Sequence, residues 1–410
     1  MLDSHRPIDA DPTIDRLAGA LRRAGFAGGI DADSALRAAM STDNSVYQIT
    51  PDLIAAPRDA ADLVVLMGVM AQPEFAATAL TARGGGTGTN GQSLNRGVIL
   101  DLRRHMNRLI ALNAAEGWAD VEPGMVLDDL NDQIRASGWF FAPETSTSTR
   151  CTIGGMVSTD ASGKGSRVYG KTSDNILGLE LARAEGLLSS MDPVPGWAQP
   201  MLALAEGAAR AGRQAFIDNT PRLNRRFTGY DLERACPDGG GFEWWRLFLG
   251  AEGTLGPISR IRVKLRRIEP EKRLIVAGFD SFRNAVAAAT PLLVAEPTAV
   301  EVMDETVQAI AEEADRVFSR LLKEHPTSPR TADARFNLAE SAFARSKFAD
   351  VISLLEPVVA SGPITLSLNS NGVAAYVRPR VRSLPTSRSH SGSTQKNSAT
   401  RTSPRRWMSV

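Results

Sequence analysis

The stretch "TARGGGTGTNGQSLNRGVILDL", residues 81–102, gathers residue types suited to holding an anion. Gly84, Gly85, Gly86, Gly88 and Gly91 fall within eight positions. Consecutive backbone N–H groups in a glycine-permitted turn make a concave donor array, and missing Cβ atoms let a ligand's oxygens approach closely. Arg83, Thr87, Thr89, Asn90 and Gln92 add polar heads to the same loop. A phosphate or pyrophosphate is the chemistry such a loop fits. Gly86, Gly88 and Gly91 also spell G-x-G-x-x-G, which counts as a dinucleotide-binding βαβ signature only between a strand and a helix. Here "GVILDL" follows, a Val/Ile/Leu run that reads as a second strand. The loop therefore joins strand to strand, and the Rossmann reading fails.

A second small-residue stretch spans residues 143–182, "PETSTSTRCTIGGMVSTDASGKGSRVYGKTSDNILGLELA". Its hydroxyls and glycines suit a long polar ligand. A third candidate, "NRRFTGYDL" at residues 224–232, offers Arg225, Arg226, Tyr230 and Asp231; an arginine there can grip a carboxylate bidentately. Trp244 and Trp245 read as core aromatics, Cys151 as a small buried apolar cysteine, and His105, Lys164 and Lys171 as surface residues.

The elements that must position these groups mix strands and helices. Ile14, Leu17 and Leu21 mark a helix over residues 13–25 ending at glycine. Residues 58–72 read as a second helix, 76–84 and 97–102 as the strands flanking the glycine loop, 110–124 as one strand and 126–138 as a helix. Residues 186–215 look helical and 219–243 irregular, and 244–268 reads as two strands around "GAEGTLG". Residues 273–303 read as strand, helix and strand. Short mixed elements with long glycine-rich connections argue α+β, not regular βαβ alternation.

Composition bounds the rest. At ~150 residues per domain, 410 residues suggest two or three domains. No apolar run reaches the ~20 residues of a membrane helix, and the polar N-terminus carries no signal core, so a cytoplasmic location is expected. Cys151 and Cys236 make no metal or disulfide pattern. The net charge of +1 hides an asymmetry: no acidic residue follows Glu356, while eight Lys/Arg do. The preceding body has 39 basic against 46 acidic side chains, a net of −7, which does not suggest a nucleic-acid partner.

Taken together, "RGGGTGTNG" before a strand, "PETSTSTRCTIGGMVSTDASGKGSRVYGKTSDNILGLEL" and "FLGAEGTLGPISRIRVKL" resemble the FAD-binding domain of the vanillyl-alcohol-oxidase type, also called PCMH-type. Within it the resemblance is to bacterial flavin and iron–sulfur D-2-hydroxyglutarate dehydrogenases, which carry motifs like "TDNSVYQITPDLIAAP" and "NRRFTGYDL". The resemblance assigns Arg83, Gly84, Gly85, Gly86, Thr87, Gly88, Thr89, Asn90 and Gly91 to the FAD pyrophosphate. It lays Pro143, Glu144, Thr152, Ile153, Gly154, Gly155, Ser158 and Thr159 along the pyrophosphate and ribityl chain. It sets Gly163, Tyr169 and Gly170 near the flavin ring, and closes Ile176, Glu252, Gly253 and Thr254 over the adenine or flavin end. Relatives with covalent flavin carry a histidine in or beside the glycine loop; glycine and threonine here imply non-covalent FAD.

The implied activity is FAD-dependent oxidation of a D-2-hydroxy acid such as 2-hydroxyglutarate or lactate, by hydride transfer to flavin N5, with an unknown electron acceptor. The resemblance also implies a base and metal ligands in a motif like H-x-G-D-G-N-x-H and cysteine-rich cluster runs. The four histidines (His5, His105, His325, His390) and two cysteines form neither. No iron–sulfur cluster or metal site is therefore expected in this chain, Arg226 and Tyr230 remain the substrate-side candidates, and catalysis is expected to be incomplete. The alternative is an inactive flavin-binding, tetratricopeptide-like interaction protein or a fusion fragment. Residues 314–360 resemble about one and a half tetratricopeptide units of ~34 residues, a hairpin that offers a protein partner a surface. The expected organisation is an N-terminal helical segment (1–45), the FAD-binding domain (46–269), a truncated α/β cap (270–311), tetratricopeptide-like helices (312–362) and a disordered basic Ser/Arg-rich tail (363–410).

Overall fold

The structure is a computed structural model and describes residues 12–221, 223, 229–270, 275, 277–302, 304–328 and 330–344, with isolated positions between 350 and 375. The chain divides into two units, residues 1–276 with 293–300, and residues 277–292 with 301–410.

The first unit opens with α1 (Pro12–Arg23), whose apolar stripe of Ile14, Leu17 and Leu21 is buried as its spacing predicts. Burying each such side chain contributes roughly 1.5–3 kcal/mol. Next come β1 (Gly29–Asp31), α2 (Ser34–Met40), β2 (Leu53–Ala56) and α3 (Ala60–Met70). Asp59 caps α3 by accepting from the Asp62 N–H at 3.0 Å, satisfying a donor left free by the first turn. Asp62 in turn accepts from the Ala27 N–H at 2.7 Å, tying α3 to the turn after α1. Two strands, β3 (Leu80–Arg83) and β4 (Val98–Asp101), flank the glycine loop.

These strands form a four-stranded sheet in the order β1-β2-β4-β3. β1 runs antiparallel to β2, whereas β3 and β4 are parallel neighbours joined by the loop itself. Leu53, Val98 and Leu100 of this sheet share one core with α1 and α3.

A second sheet has the order β5-β6-β10-β8-β9 and is antiparallel throughout. Its strands are β5 (Leu109–Asn113), β6 (Trp118–Val121), β8 (Ile176–Arg183), β9 (Gly186–Ser189) and β10 (Ile258–Lys264). Between them run α4 (Leu127–Ile134), β7 (Trp139–Phe140), α5 (Ile153–Thr159), α6 (Ser166–Tyr169), α7 (Gln199–Asn219) and α8 (Leu232–Ala235). β7 pairs with β11 (Arg266–Arg267). Leu127, Leu130, Ile153, Met156 and Val157 pack against Leu179, Ile261 and Val263 in a second core.

Several expectations change. Residues 110–124 are two strands, because Gly117 at φ +74° turns the chain between β5 and β6. Residues 186–189 pair with β8 as β9, and the helix begins only at Gln199, after Pro193 and Pro195. Trp244–Phe248 is a short 3₁₀ turn whose two tryptophans are buried in the second core, so 244–268 contributes one long strand. Within the Gly- and Thr-rich stretch lies a helix, α5, that the sequence reading treats as connection.

In the second unit, α9 (Phe282–Leu292), α10 (Glu305–Glu324) and α11 (Thr331–Ala344) are helical. α10 packs against α11, and the Ser341 hydroxyl donates to Asp315 Oδ2 at 2.8 Å. The strand expected from 273 lies partly outside the described residues, and 298–302 forms no strand. Apart from Ser367–Leu368 and Ala374–Ala375, which pair antiparallel, the tail at 363–410 lies outside the described residues, as does most of the helical reading beyond 344.

Candidate functional site

The glycine loop leaves β3 and immediately meets the segment that enters α5. A Cβ on Gly84 would stand 2.0 Å from Thr152 Oγ1, and one on Gly85 would stand 2.1 Å from the Arg150 carbonyl oxygen. The two backbones therefore touch in a way only glycine permits. Gly86, at φ +61°, then turns the chain away. Across the contact, Thr152 caps α5 by accepting from the Gly155 N–H at 3.2 Å, and the Gly154 N–H donates to the Pro123 carbonyl at 2.8 Å. A cleft of about 200 Å³ lies here.

Three walls line it. The loop contributes Arg83, Gly84, Gly85, Gly86, Thr87 and Gly88 with Gln92 and Ser93. The second wall contributes Thr152, Gly154, Gly155, Ser158 and Thr159. Glu252, Gly253 and Gly256 supply the third. That third wall is held by backbone bonds, since the Gly250 N–H donates to Val157 O at 2.9 Å and the Glu252 N–H to Ser158 O at 2.8 Å.

Other expected residues lie outside the lining. Thr89, Asn90 and Gly91 continue the loop, with Gly91 at φ +77° against the Tyr47 ring. Ile153 and Ile176 send their side chains into the second core. Pro143 is buried, and Glu144 presents its carbonyl to Gly163, where a Cβ would stand 1.5 Å away. Tyr169 meets Phe140 edge to face at 5.6 Å, and Gly170 turns at φ +75° beside Asp174. Thr254 shares a 2.9 Å hydrogen bond with the Tyr230 hydroxyl, which brings one substrate-side candidate to the third wall. Arg225 and Arg226 lie outside the described residues.

Arg83 and Glu252 are the two charged side chains in the lining. The Arg83 guanidinium is buried and donates inward, to the Thr42 carbonyl at 2.7 Å and the Met40 carbonyl at 3.2 Å. It thus clamps the "STDN" turn beneath the loop. Burial pushes its pKa down, against the opposing pull of Asp43 and Asp101. Partial enclosure raises the Glu252 carboxyl's pKa, while a hydrogen bond from Gln92 acts the other way. The Cys151 thiol also lines the cleft; burial raises its pKa, and it lies 3.1 Å from Thr145 Oγ1. His105 is exposed, as expected.

Lys171 is not a surface charge. It is buried in an ion pair with Asp160, the residue that ends α5 in the left-handed region at φ +46°. Asp160 also accepts from the Ser173 N–H at 2.8 Å. Arg234 extends the network, bonding Asp174 at 2.7 Å, Ser173 Oγ at 2.7 Å and Asp231. Asp231 is therefore committed to an ion pair and to capping α8.

Sequence reasoning did not single out Ala82, Leu102, Pro123, Thr145, Thr147, Met156, Ala161 or Ile258, all of which line the cleft. Pro123 had a readable signal, the "VEPG" break straight after a strand, but its contact with Gly154 is tertiary. Among the described residues, no group of three or more His, Cys, Asp or Glu is placed to hold a metal ion.

Residues 51–192 match the family model described as FAD binding domain. Over those residues the chain is similar to that family. Around that domain the chain is 42% identical over 305 residues to the D-2-hydroxyglutarate dehydrogenase of Escherichia coli (strain K12), covering 72% of this chain and 30% of that protein. It is 37% identical over 332 residues to the Pseudomonas putida protein of the same name, covering 78% and 33%. The chain thus spans about a third of the length of these relatives. The solved structure of an alkyldihydroxyacetonephosphate synthase superposes with TM-score 0.51 at 19% identity, over 70% of this chain and 47% of that one, a likeness of fold alone. It supports the α+β architecture of the FAD-binding domain.

Proposed function

We propose that the cleft holds FAD non-covalently and that the chain serves the dehydrogenation of a D-2-hydroxy acid, 2-hydroxyglutarate or lactate. The carrying observation is the lining of the cleft, glycines and hydroxyls from three walls (Gly84 to Gly88, Thr152, Gly155, Ser158, Thr159, Gly253, Gly256), brought together by backbone packing that only glycine allows at Gly84, Gly85 and Gly154. A diphosphate suits a glycine-rich lining that lets its oxygens approach the backbone, and the hydroxyls of Thr152, Ser158 and Thr159 suit the ribityl and phosphate oxygens. The chemistry FAD supplies when bound is acceptance of the substrate's Cα hydride at flavin N5. This chain's share is to hold the cofactor and to exclude water from it through the buried walls around Cys151, Met156 and Leu102. The named relatives support the substrate class, since both are called D-2-hydroxyglutarate dehydrogenase.

A second reading, a protein-binding role for the α10–α11 hairpin, rests on the exposed Ile310 and Val317 of α10. The test is direct. FAD-loaded protein is mixed anaerobically with D-2-hydroxyglutarate and, separately, with D-lactate, while flavin absorbance is followed. Bleaching by one of them supports the dehydrogenase reading and overturns the expectation of incomplete catalysis; a flavin spectrum that neither substrate bleaches nor perturbs removes the reading and leaves a flavin-binding chain.

A further inference from the structure

The turn between α2 and β2, residues 40–48 or "MSTDNSVYQ", meets the glycine loop and its flanks at four points, although none of its residues lines the cleft. Arg83 Nη2 donates to the Thr42 carbonyl at 2.7 Å and Nη1 to the Met40 carbonyl at 3.2 Å. The Ser93 hydroxyl donates to Asp43 Oδ2 at 2.9 Å. The Asn44 N–H donates to the Gly86 carbonyl at 3.1 Å. The Tyr47 ring lies against Gly91, where an added Cβ would stand 2.7 Å from Cδ2. The turn also closes on itself: Thr42 bridges Gln48, and the Ser45 N–H donates to Asp43 Oδ1 at 2.8 Å. Burial does not hold it in place. Ser41 is its one buried residue, while Val46 is 94% and Tyr47 55% exposed. With so little apolar surface buried, the turn depends on its polar tethers. One tether acts on the cradle directly. A trans peptide is planar, with C=O and N–H on opposite sides. Fixing the Gly86 carbonyl to Asn44 therefore aims the Thr87 N–H away from the turn, and Thr87 lines the cleft.

We propose that residues 40–48 form a strap belonging to the cofactor site, and that Arg83 is a positioning residue which acts through this strap instead of gripping the FAD pyrophosphate. The consequence for the cofactor rests on the FAD reading; the tethers themselves do not. The strap precedes residues 51–192, the part similar to the FAD binding domain family, so it extends the cofactor unit upstream. Arg83 and a lysine in its place differ in the way that matters here. Two carbonyls at separate positions need a two-pronged donor, which a planar guanidinium supplies and a compact ammonium does not. A phosphate ligand would need only the charge, and lysine serves phosphates well as a point charge.

The full-length chain, Arg83→Lys and Asp43→Ala are compared by amide hydrogen exchange over residues 40–48 and by titration with FAD. Exchange over α1 serves as the control for general unfolding. In Arg83→Lys, exchange over 40–48 without FAD is expected to speed up and FAD affinity to fall, each by about tenfold, the size of a lost hydrogen bond from a charged donor. Exchange over α1 should stay at the wild-type rate. Asp43 does not line the cleft, so its removal reaches FAD only through the strap. Asp43→Ala is expected to speed exchange over 40–48 and to lose roughly threefold in affinity. In wild type, FAD should slow exchange over 40–48 although it does not touch those residues. Arg83→Lys with wild-type exchange over 40–48, or with wild-type FAD affinity, overturns the positioning role. Should Arg83→Lys also loosen α1, Asp43→Ala decides, and wild-type affinity in that variant overturns the coupling. Wild-type protein that takes up no FAD removes the cofactor reading, while exchange in the FAD-free variants still decides whether Arg83 holds the strap.

Discussion

Replacing Gly85 by alanine places a methyl group 2.1 Å from the Arg150 carbonyl oxygen and 2.9 Å from its carbon. Both are backbone atoms, so no rotamer change relieves the clash. Opening the contact to the 3.0 Å below which Cβ contacts are essentially never seen requires the two walls to part by about 0.9 Å. Overpacking of this kind costs about 1–3 kcal/mol, and in a domain of this size each kcal/mol lowers Tm by roughly 2–4 °C. The displaced atoms are the cradle itself. A shift near 1 Å misdirects the donors of Gly84 to Gly88, so FAD affinity should fall at least tenfold, about 1.4 kcal/mol. Gly207→Ala is the matched control. Gly207 is exposed in α7 with nothing within 4 Å of its added Cβ, so this change should stabilise by about 0.5–1 kcal/mol and leave affinity unchanged. Titration of apo protein with FAD, followed by flavin fluorescence, together with thermal melts, reads both effects. Gly85→Ala protein binding FAD as tightly as wild type would refute the reasoning.

Three further outcomes follow from the same structure. Lys171→Met strands the buried Asp160 carboxylate and should destabilise by about 3–5 kcal/mol, whereas Lys171→Met with Asp160→Asn should recover much of that loss in urea unfolding; equal losses would contradict a buried pair. The Glu252 carboxyl has its folded pKa raised by enclosure, so the folded chain binds more protons than the unfolded one just above the ordinary carboxylate range. Its contribution to stability is therefore fullest below the unfolded pKa and fades as pH rises through the folded one. Glu252→Gln should flatten that part of the stability–pH profile, and an unchanged slope would show that Glu252 does not cause it. Cys151, buried with a raised pKa, should label with thiol reagents far more slowly in native protein than in urea, and more slowly again with FAD present; labelling that ignores FAD would remove Cys151 from the cofactor cleft.

Where a signal was local, the sequence carried it. Ile14, Leu17 and Leu21 repeat at helical spacing, and they form the buried stripe of α1. Val98, Ile99 and Leu100 after the glycine loop announced β4, which excluded a helix there and with it the Rossmann reading. α5 was not legible because "IGGMVST" holds two glycines and several β-branched or hydroxyl residues, all poor helix formers. Its helix is imposed by the Thr152 cap and by burial of Ile153, Met156 and Val157 against the second sheet. The role of Lys171 was hidden for a related reason. Its partner Asp160 lies eleven positions earlier, and only the left-handed turn that ends α5 brings the two together. The glycines of the cradle were visible as types, yet what each one touches, Thr152, Arg150 or Pro123, belongs to the fold.

The central claim is that this cleft holds FAD without a covalent bond. Purified full-length chain is incubated with FAD, passed through a desalting column and its visible spectrum recorded before and after acid precipitation. The account predicts stoichiometric flavin absorbance co-eluting with the protein and released into the acid supernatant. Colourless protein after loading would contradict the cofactor assignment, and yellow colour that stays in the precipitate would contradict the non-covalent one.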